Sequence, residues 1–167
     1  MFKKIFVAAS MMILITAGAV QAQAPSRLHQ FDAWGVYSYI SPENTICYVL
    51  SLPLSSHPTT VNHGDNFFLV TKRSHSPISF EPQFLAGYKF KEGSTVTVTI
   101  GKRDFEFFTK GSSAWLASPE VEKQFVAAMR SGLHMMVKAI SKRGTHTTYT
   151  YSLKGISAAL NAAQKCH

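Results

Sequence analysis

Alternation of apolar and polar positions is the clearest pattern in the chain, and it is sharpest in its second half. Val96, Val98 and Ile100 alternate with Thr95, Thr97 and Thr99. A period of two places the aliphatic groups on one face of a strand and the threonines on the other. Gly101, Lys102, Arg103 and Asp104 turn the chain, and Phe105 and Phe107 share a face on the way back, so 94–109 is predicted to be a hairpin. Leu133, Met135, Val137 and Ala139 repeat the alternation. Ser141, Lys142, Arg143 and Gly144 make a tight turn, and 145–153 returns with Thr147, Tyr149 and Tyr151 on one face. Earlier strands are predicted over 31–39, after a polar lead-in at 25–30, and over 45–52, 67–73 and 78–90, the last bent near Pro82 or Gly87. Turns are predicted at 41–44 and 74–77, with 54–66 as the longest loop. A short loop at 111–113 precedes Trp115, which reads as a buried anchor.

Two segments change to helical spacing. Ser118, Pro119 and Glu120 combine a hydroxyl cap, a proline at the first helical position and an acid at the positive end of a helix. Val121, Phe125, Ala128 and Met129 then recur at that spacing until Gly132. Lys154 and Gly155 open a last helix with Ile156, Ala159, Leu160 and Ala163 as its apolar stripe. Cys166 falls on the same stripe. The predicted class is mainly β: an antiparallel β-sandwich or partly open barrel, with one inserted helix and one C-terminal helix. An outer-membrane barrel does not fit two helical segments and the lack of regularly spaced ten-residue alternations.

The first 24 residues read differently. Lys3 and Lys4 precede an almost wholly apolar run over 5–20, and Gln21, Ala22, Gln23 and Ala24 close it with small residues at alternate positions. This is the pattern of a secretory signal peptide cleaved after Ala22 or Ala24. The run is shorter than the roughly 20 residues a membrane-spanning helix needs. The chain therefore divides into a signal at 1–24 and a single domain at 25–167, expected in the periplasm or outside the cell with no transmembrane segment after cleavage.

Export gives the two cysteines, Cys47 and Cys166, their simplest reading as a disulfide. It would tie the C-terminal helix to an early strand and close a loop of about 120 residues, for which chain entropy allows at most about 4–5 kcal/mol. A redox pair or a metal pair finds no supporting spacing.

Residues 25–167 hold 15 of the 17 Lys and Arg and all nine Asp and Glu, a net charge of +6. That surplus either keeps the protein soluble or suits an anionic partner such as an envelope or host-surface component. The basic pairs Lys102–Arg103 and Lys142–Arg143, both in predicted turns, are the candidate contact surface, together with the long loop. No recognition motif supports nucleic acid.

Catalytic patterns are missing from the sequence. Neither a nucleophile motif nor a phosphate loop is present, and the nine acids offer no defined pair. His57, His63 and His75 match no metal-ligand spacing. His134 and Met136 share one face of their strand while Met135 points to the other, which reads as packing rather than copper chemistry. No cofactor or metal is expected.

A series of segments carries a family resemblance: Phe31–Asp32–Ala33–Trp34, Thr45–Ile46–Cys47–Tyr48, Phe84–Leu85–Ala86–Gly87–Tyr88 and Gly93–Ser94–Thr95–Val96–Thr97–Val98. It continues through Thr109–Lys110–Gly111–Ser112–Ser113–Ala114–Trp115, Ala127–Ala128–Met129–Arg130–Ser131–Gly132, Ser141–Lys142–Arg143–Gly144–Thr145 and Thr150–Tyr151–Ser152–Leu153–Lys154–Gly155. In this order they resemble the invasion-associated locus B family of small exported α-proteobacterial proteins, in its compact two-cysteine form. The resemblance implies an exported β-rich domain, host interaction in the member associated with invasion of erythrocytes, and no catalytic residues or cofactor to transfer. The expected function is non-enzymatic contact with envelope or host-cell components. The alternative is a periplasmic ligand-binding protein or hydrolase with a pocket between the sheets near Trp34, Tyr88 and Trp115.

Overall fold

The computed structural model describes residues 24–42, 44–73 and 79–166. The signal segment up to residue 23 and the whole 74–77 turn, His75 included, lie outside them.

One antiparallel sheet of 11 strands carries the fold. In chain order the strands are β1 (Ser26–Phe31), β2 (Trp34–Ile40), β3 (Thr45–Ser51), β4 (Ser55–His57), β5 (Phe67–Lys72) and β6 (Phe80–Leu85). They continue with β7 (Thr95–Ile100), β8 (Arg103–Lys110), β9 (Ser113–Trp115), β10 (His134–Ile140) and β11 (His146–Ser152). Helix α1 (Pro119–Ser131) is inserted before β10, and α2 (Ile156–Lys165) closes the chain. The spatial order is β1-β2-β3-β5-β6-β9-β8-β7-β10-β11-β4.

The sheet rolls over on itself without closing. Phe68 on β5 meets Phe107 on β8 at 6.1 Å and Tyr151 on β11 at 5.8 Å between ring centroids, although neither strand is its neighbour. Where the two ends approach, the Trp34 indole N–H donates to the Ser152 carbonyl at 2.9 Å, and the Ala33 N–H donates to the Lys154 carbonyl at 3.3 Å. Among the described residues no ladder joins those ends, so of the two expected architectures the partly open barrel is the better description. The core is a mesh of rings, because Phe125 of α1 stacks on Phe68 and meets Phe105 and Phe107 edge-on. Such tilted and edge-to-face pairs are favourable aromatic geometries. Helix α2 packs on β1, β2, β3 and β5.

The disulfide is formed. Cys47 on β3 and Cys166 at the end of α2 are bonded, with Cα atoms 6.1 Å apart and a separation of 119 positions in sequence. Lys72 reinforces the junction, its ammonium donating to the Cys166 carbonyl at 2.9 Å.

Two local expectations need correction. The lead-in is itself strand β1, hairpinned onto β2 through Asp32 and Ala33, with Asp32 in the left-handed region that Asp tolerates. Residues 26–30 are exposed throughout, so this edge strand has no apolar alternation to announce it. The long loop contains β4, which pairs with β11, and the segment before Trp115 is β9. Both have three residues, too short to show a period. Gly132 stops α1 as the sequence suggests, in an extended conformation. A Cβ there would meet Ile100 at 2.7 Å and Leu153 at 2.8 Å, so close packing demands the glycine.

Candidate functional site

Three segments far apart in sequence enclose a cavity of about 170 Å³. One wall is the loop at 61–63, the second is Tyr88 and Lys89, and the third is the β10–β11 turn with Lys142, Arg143 and Thr145. Backbone pairing joins the second and third walls: the Lys142 N–H donates to the Lys89 carbonyl at 2.7 Å, and Phe90 bridges to Ser141.

The loop wall is held by two devices. Buried Asn66 donates to the carbonyls of His63 and Gly64, at 3.2 and 3.0 Å, and accepts from the Gly87 N–H at 3.3 Å. It thereby satisfies backbone groups on both sides of the junction. Behind it, His63 is held at both ring nitrogens. Nε2 donates to the Pro58 carbonyl at 2.9 Å, so in the neutral ring Nδ1 accepts from the Tyr149 hydroxyl at 2.8 Å.

The chain of polar groups continues beneath the cavity. Thr147 Oγ1 donates to the Ala139 carbonyl at 3.3 Å and therefore accepts from the Tyr88 hydroxyl at 2.6 Å. The Tyr149 and Tyr88 oxygens are 3.2 Å apart. Burial pushes both phenols above their ordinary value, and for Tyr149 the contact with Tyr88 pushes the same way. The phenols therefore stay protonated at physiological pH and act as hydrogen-bond groups, not as bases.

The lining has a marked charge imbalance. Lys89, Lys142 and Arg143 contribute three positive charges, and among the described residues no carboxylate lines the cavity. Ion pairs among the described residues join Arg73 to Glu81 and Glu122, and Lys154 to Asp32; none involves the three cavity cations. Asp65 is in the same loop but outside the lining.

The structure separates the two basic pairs read from the sequence. Lys142 and Arg143 line this cavity together with part of the long loop, whereas Lys102 and Arg103 sit at the β7–β8 turn beside α1. Arg103 is engaged there: Nη2 donates to Gln124 Oε1 at 3.2 Å, and its guanidinium lies 4.9 Å from the Phe105 ring centroid. Among the described residues, Trp34, Tyr88 and Trp115 are not seen grouped around one pocket as anticipated. Trp34 is fully buried in the core, Trp115 lies half-buried beside Phe108, and only Tyr88 reaches the cavity. Sequence reading gave no role to Lys89, Asn66, Tyr149 or the Gly64–Gly87 contact. Lys89 next to Tyr88 was visible as a residue, but nothing in the sequence marked its pairing with the turn at 141–144. Of the metal candidates, His63 is committed to Pro58 and Tyr149. Among the described residues no group of three or more His, Cys, Asp or Glu could hold a metal ion, and no helix is long and apolar enough to cross a membrane.

A rolled antiparallel sheet with two helices packed against it and a bridge from tail to inner strand defines a small, disulfide-stapled, sheet-rich domain. The family model for the Invasion associated locus B (IalB) protein matches residues 34–164, and the chain belongs to that family. Among solved structures it is similar to the crystal structure of invasion associated protein B from Bartonella henselae, with a TM-score of 0.61 and 16% identity. That match covers 84% of this chain and 95% of the other. No curated protein matches the chain.

Proposed function

We propose that this protein is exported and acts by binding, not catalysis, engaging an anionic envelope or host-surface component through the cavity bordered by Lys89, Lys142 and Arg143. The observation that carries the reading is the convergence of three unpaired cations from two segments on one concave site without a carboxylate. A concave wall with a few convergent polar groups is the usual form of a binding site, and unopposed positive charge selects anionic partners and speeds their encounter. The N-terminal sequence supports export, and the disulfide suits an oxidising compartment. Host contact is in keeping with the family name, but the structural likeness at 16% identity carries the fold alone.

The test is co-sedimentation of the oxidised protein with envelope fractions, host-cell membranes and anionic vesicles at low and physiological salt. Binding that weakens with salt, and that falls in a Lys142→Gln/Arg143→Gln variant, is expected. Negligible binding to every preparation at low salt would eliminate the proposal.

A further inference from the structure

We propose that the cavity is a site for a phosphomonoester, the doubly charged terminal phosphate of a sugar or lipid. This deepens the binding reading above and rests on it. The first argument is charge. A carboxylate or phosphodiester brings one negative charge and would leave two of the three cations uncompensated. A phosphomonoester brings about −1.5 to −2 at neutral pH, which comes closest to balancing a lining that has no acid of its own.

The second argument is the chemistry of the donors. Arg143 supplies a planar fork suited to two phosphate oxygens, and Lys89 and Lys142 supply mobile point charges. Ser141 adds a neutral donor. Its Oγ already accepts from the Thr145 N–H at 3.1 Å, and among the described hydrogen bonds its hydroxyl proton has no acceptor. Lysines, arginine and hydroxyl without a counter-charge recognise phosphate oxygens; they supply nothing for a cation or an apolar ligand.

The third argument is size and shape. The cavity's volume of about 170 Å³ is on the order of ten times what one water needs, more than a lone phosphate requires. The rest of the lining includes the uncharged Val61, Asn62 and Tyr88. It can cover the organic group that bears the phosphate. The bordering backbone is held by pairing and by the hydrogen bonds of His63 and Asn66, so little backbone ordering is left to oppose binding.

Lys102 and Arg103 provide an internal control with the same composition. Their guanidinium is already engaged by Gln124 and Phe105, and no third cation joins them.

Calorimetric titration of the oxidised protein with glucose 6-phosphate, with glucose as the uncharged control, tests the site. Vesicles of phosphatidylcholine with phosphatidic acid, a phosphomonoester lipid, are compared with vesicles of equal charge made with phosphatidylglycerol, a diester. Saturable binding of glucose 6-phosphate but not glucose is expected, weakened about tenfold or more by Lys142→Gln/Arg143→Gln and by Lys89→Gln, and unchanged by Lys102→Gln/Arg103→Gln. Preference for phosphatidic acid vesicles, with competition by glucose 6-phosphate, would assign the phosphate to a lipid; binding of the sugar phosphate without vesicle binding would assign it to a free ester. Either result supports the site. Equal weakening by the two double variants, or no binding of glucose 6-phosphate and no preference for phosphatidic acid, overturns it. If envelope binding then still depends on Lys142 and Arg143, only the phosphomonoester inference falls; if envelope binding is itself absent, the contact reading falls with it.

Discussion

The backbone of Gly87 lies directly against that of Gly64, with no space for a side chain between them. A Cβ on Gly87 would sit 2.5 Å from the His63 carbonyl oxygen and 2.6 Å from the Asp65 nitrogen. Both obstacles are backbone atoms that cannot swing aside. Gly64 in addition has φ +61°, where L side chains are strained. This contact sets how the long loop docks on the segment that carries Tyr88 and Lys89, and so sets the shape of the cavity.

Gly87→Ala is therefore expected to displace the loop and to lower stability by about 2–3 kcal/mol, in the upper part of the usual range for single substitutions. Chemical denaturation measures the loss, and the NMR signals of His63 and Tyr149 report whether the loop has lifted. A variant as stable as the native protein, with those signals unmoved, would show that the loop is not clamped here.

Tyr149→Phe removes the hydroxyl that donates to His63 and leaves the imidazole nitrogen without its partner at 2.8 Å. The ring is fully buried and makes edge contact with His63, so its packing is kept. A loss of about 1–3 kcal/mol is expected from the unsatisfied buried group. Proteolysis should then cut within 58–66 faster than in the native protein, and an unchanged cleavage rate would count against the anchoring role.

The bridge between Cys47 and Cys166 holds α2 against β3. Reduction, or Cys47→Ala with Cys166→Ala, is expected to cost about 2–5 kcal/mol, as for disulfides of small exported domains. Thermal unfolding with and without reductant measures it. Mass spectrometry of the unreduced protein should show the two cysteine peptides linked, and two free thiols would refute the bond.

What the sequence made legible follows from how much signal each element carries. Strand β7, with strict alternation from Thr95 to Ile100, and helix α1, with its cap and proline, lie where the pattern puts them. The Ser118 hydroxyl accepts from the Val121 N–H at 3.4 Å, the cap its sequence announces. The bridge was legible because a chain with two cysteines leaves one pairing. The three-residue strands β4 and β9, and β1, exposed from Ser26 to Gln30, have no period to read; pairing decides them, β1 with its hairpin neighbour β2, and β4 and β9 with the sequence-distant β11 and β6. The site was half legible. Lys142 and Arg143 stood out as a basic turn, as did Lys102 and Arg103, and only the bridge from Phe90 to Ser141 determines which pair acquires a third cation. Trp34 and Trp115 misled because large aromatic residues serve cores and sheet faces as readily as pockets.

Phe68 is the hub of the core, fully buried with ring contacts to Trp34, Phe84, Phe107, Phe125 and Tyr151 from both sides of the roll. Phe68→Ala leaves a void that these neighbours, fixed on five separate elements, cannot all close. The expected cost is about 3–5 kcal/mol. Phe68→Leu, which refills much of the space, should cost clearly less. Equal losses for the two variants by denaturant titration would mean that the rings do not pack as a single cluster.

Glu122 offers a test whose sign depends on pH. It is 4% exposed, and Arg73 Nη2 lies 2.7 Å from its Oε1 while Oε2 is buried without a partner. Burial raises its carboxyl above the usual range; Arg73 works against this, and the charges of Glu81 and Glu120 add to it. A carboxyl raised in the folded state favours folding below its unfolded value, and loses that contribution as pH climbs through the folded one. The native protein therefore bears an unfavourable buried charge at neutral pH that Glu122→Gln does not. Arg73 keeps a second acceptor in Glu81 at 3.1 Å, so the substitution strands no cation. The Gln variant should match the native protein near pH 4, around the ordinary carboxylate range, and gain on it as pH rises to about 7. Denaturant midpoints at the two pH values decide the matter. A Gln variant that instead loses ground toward neutral pH would show that the ion pair with Arg73 outweighs the cost of burying the charge.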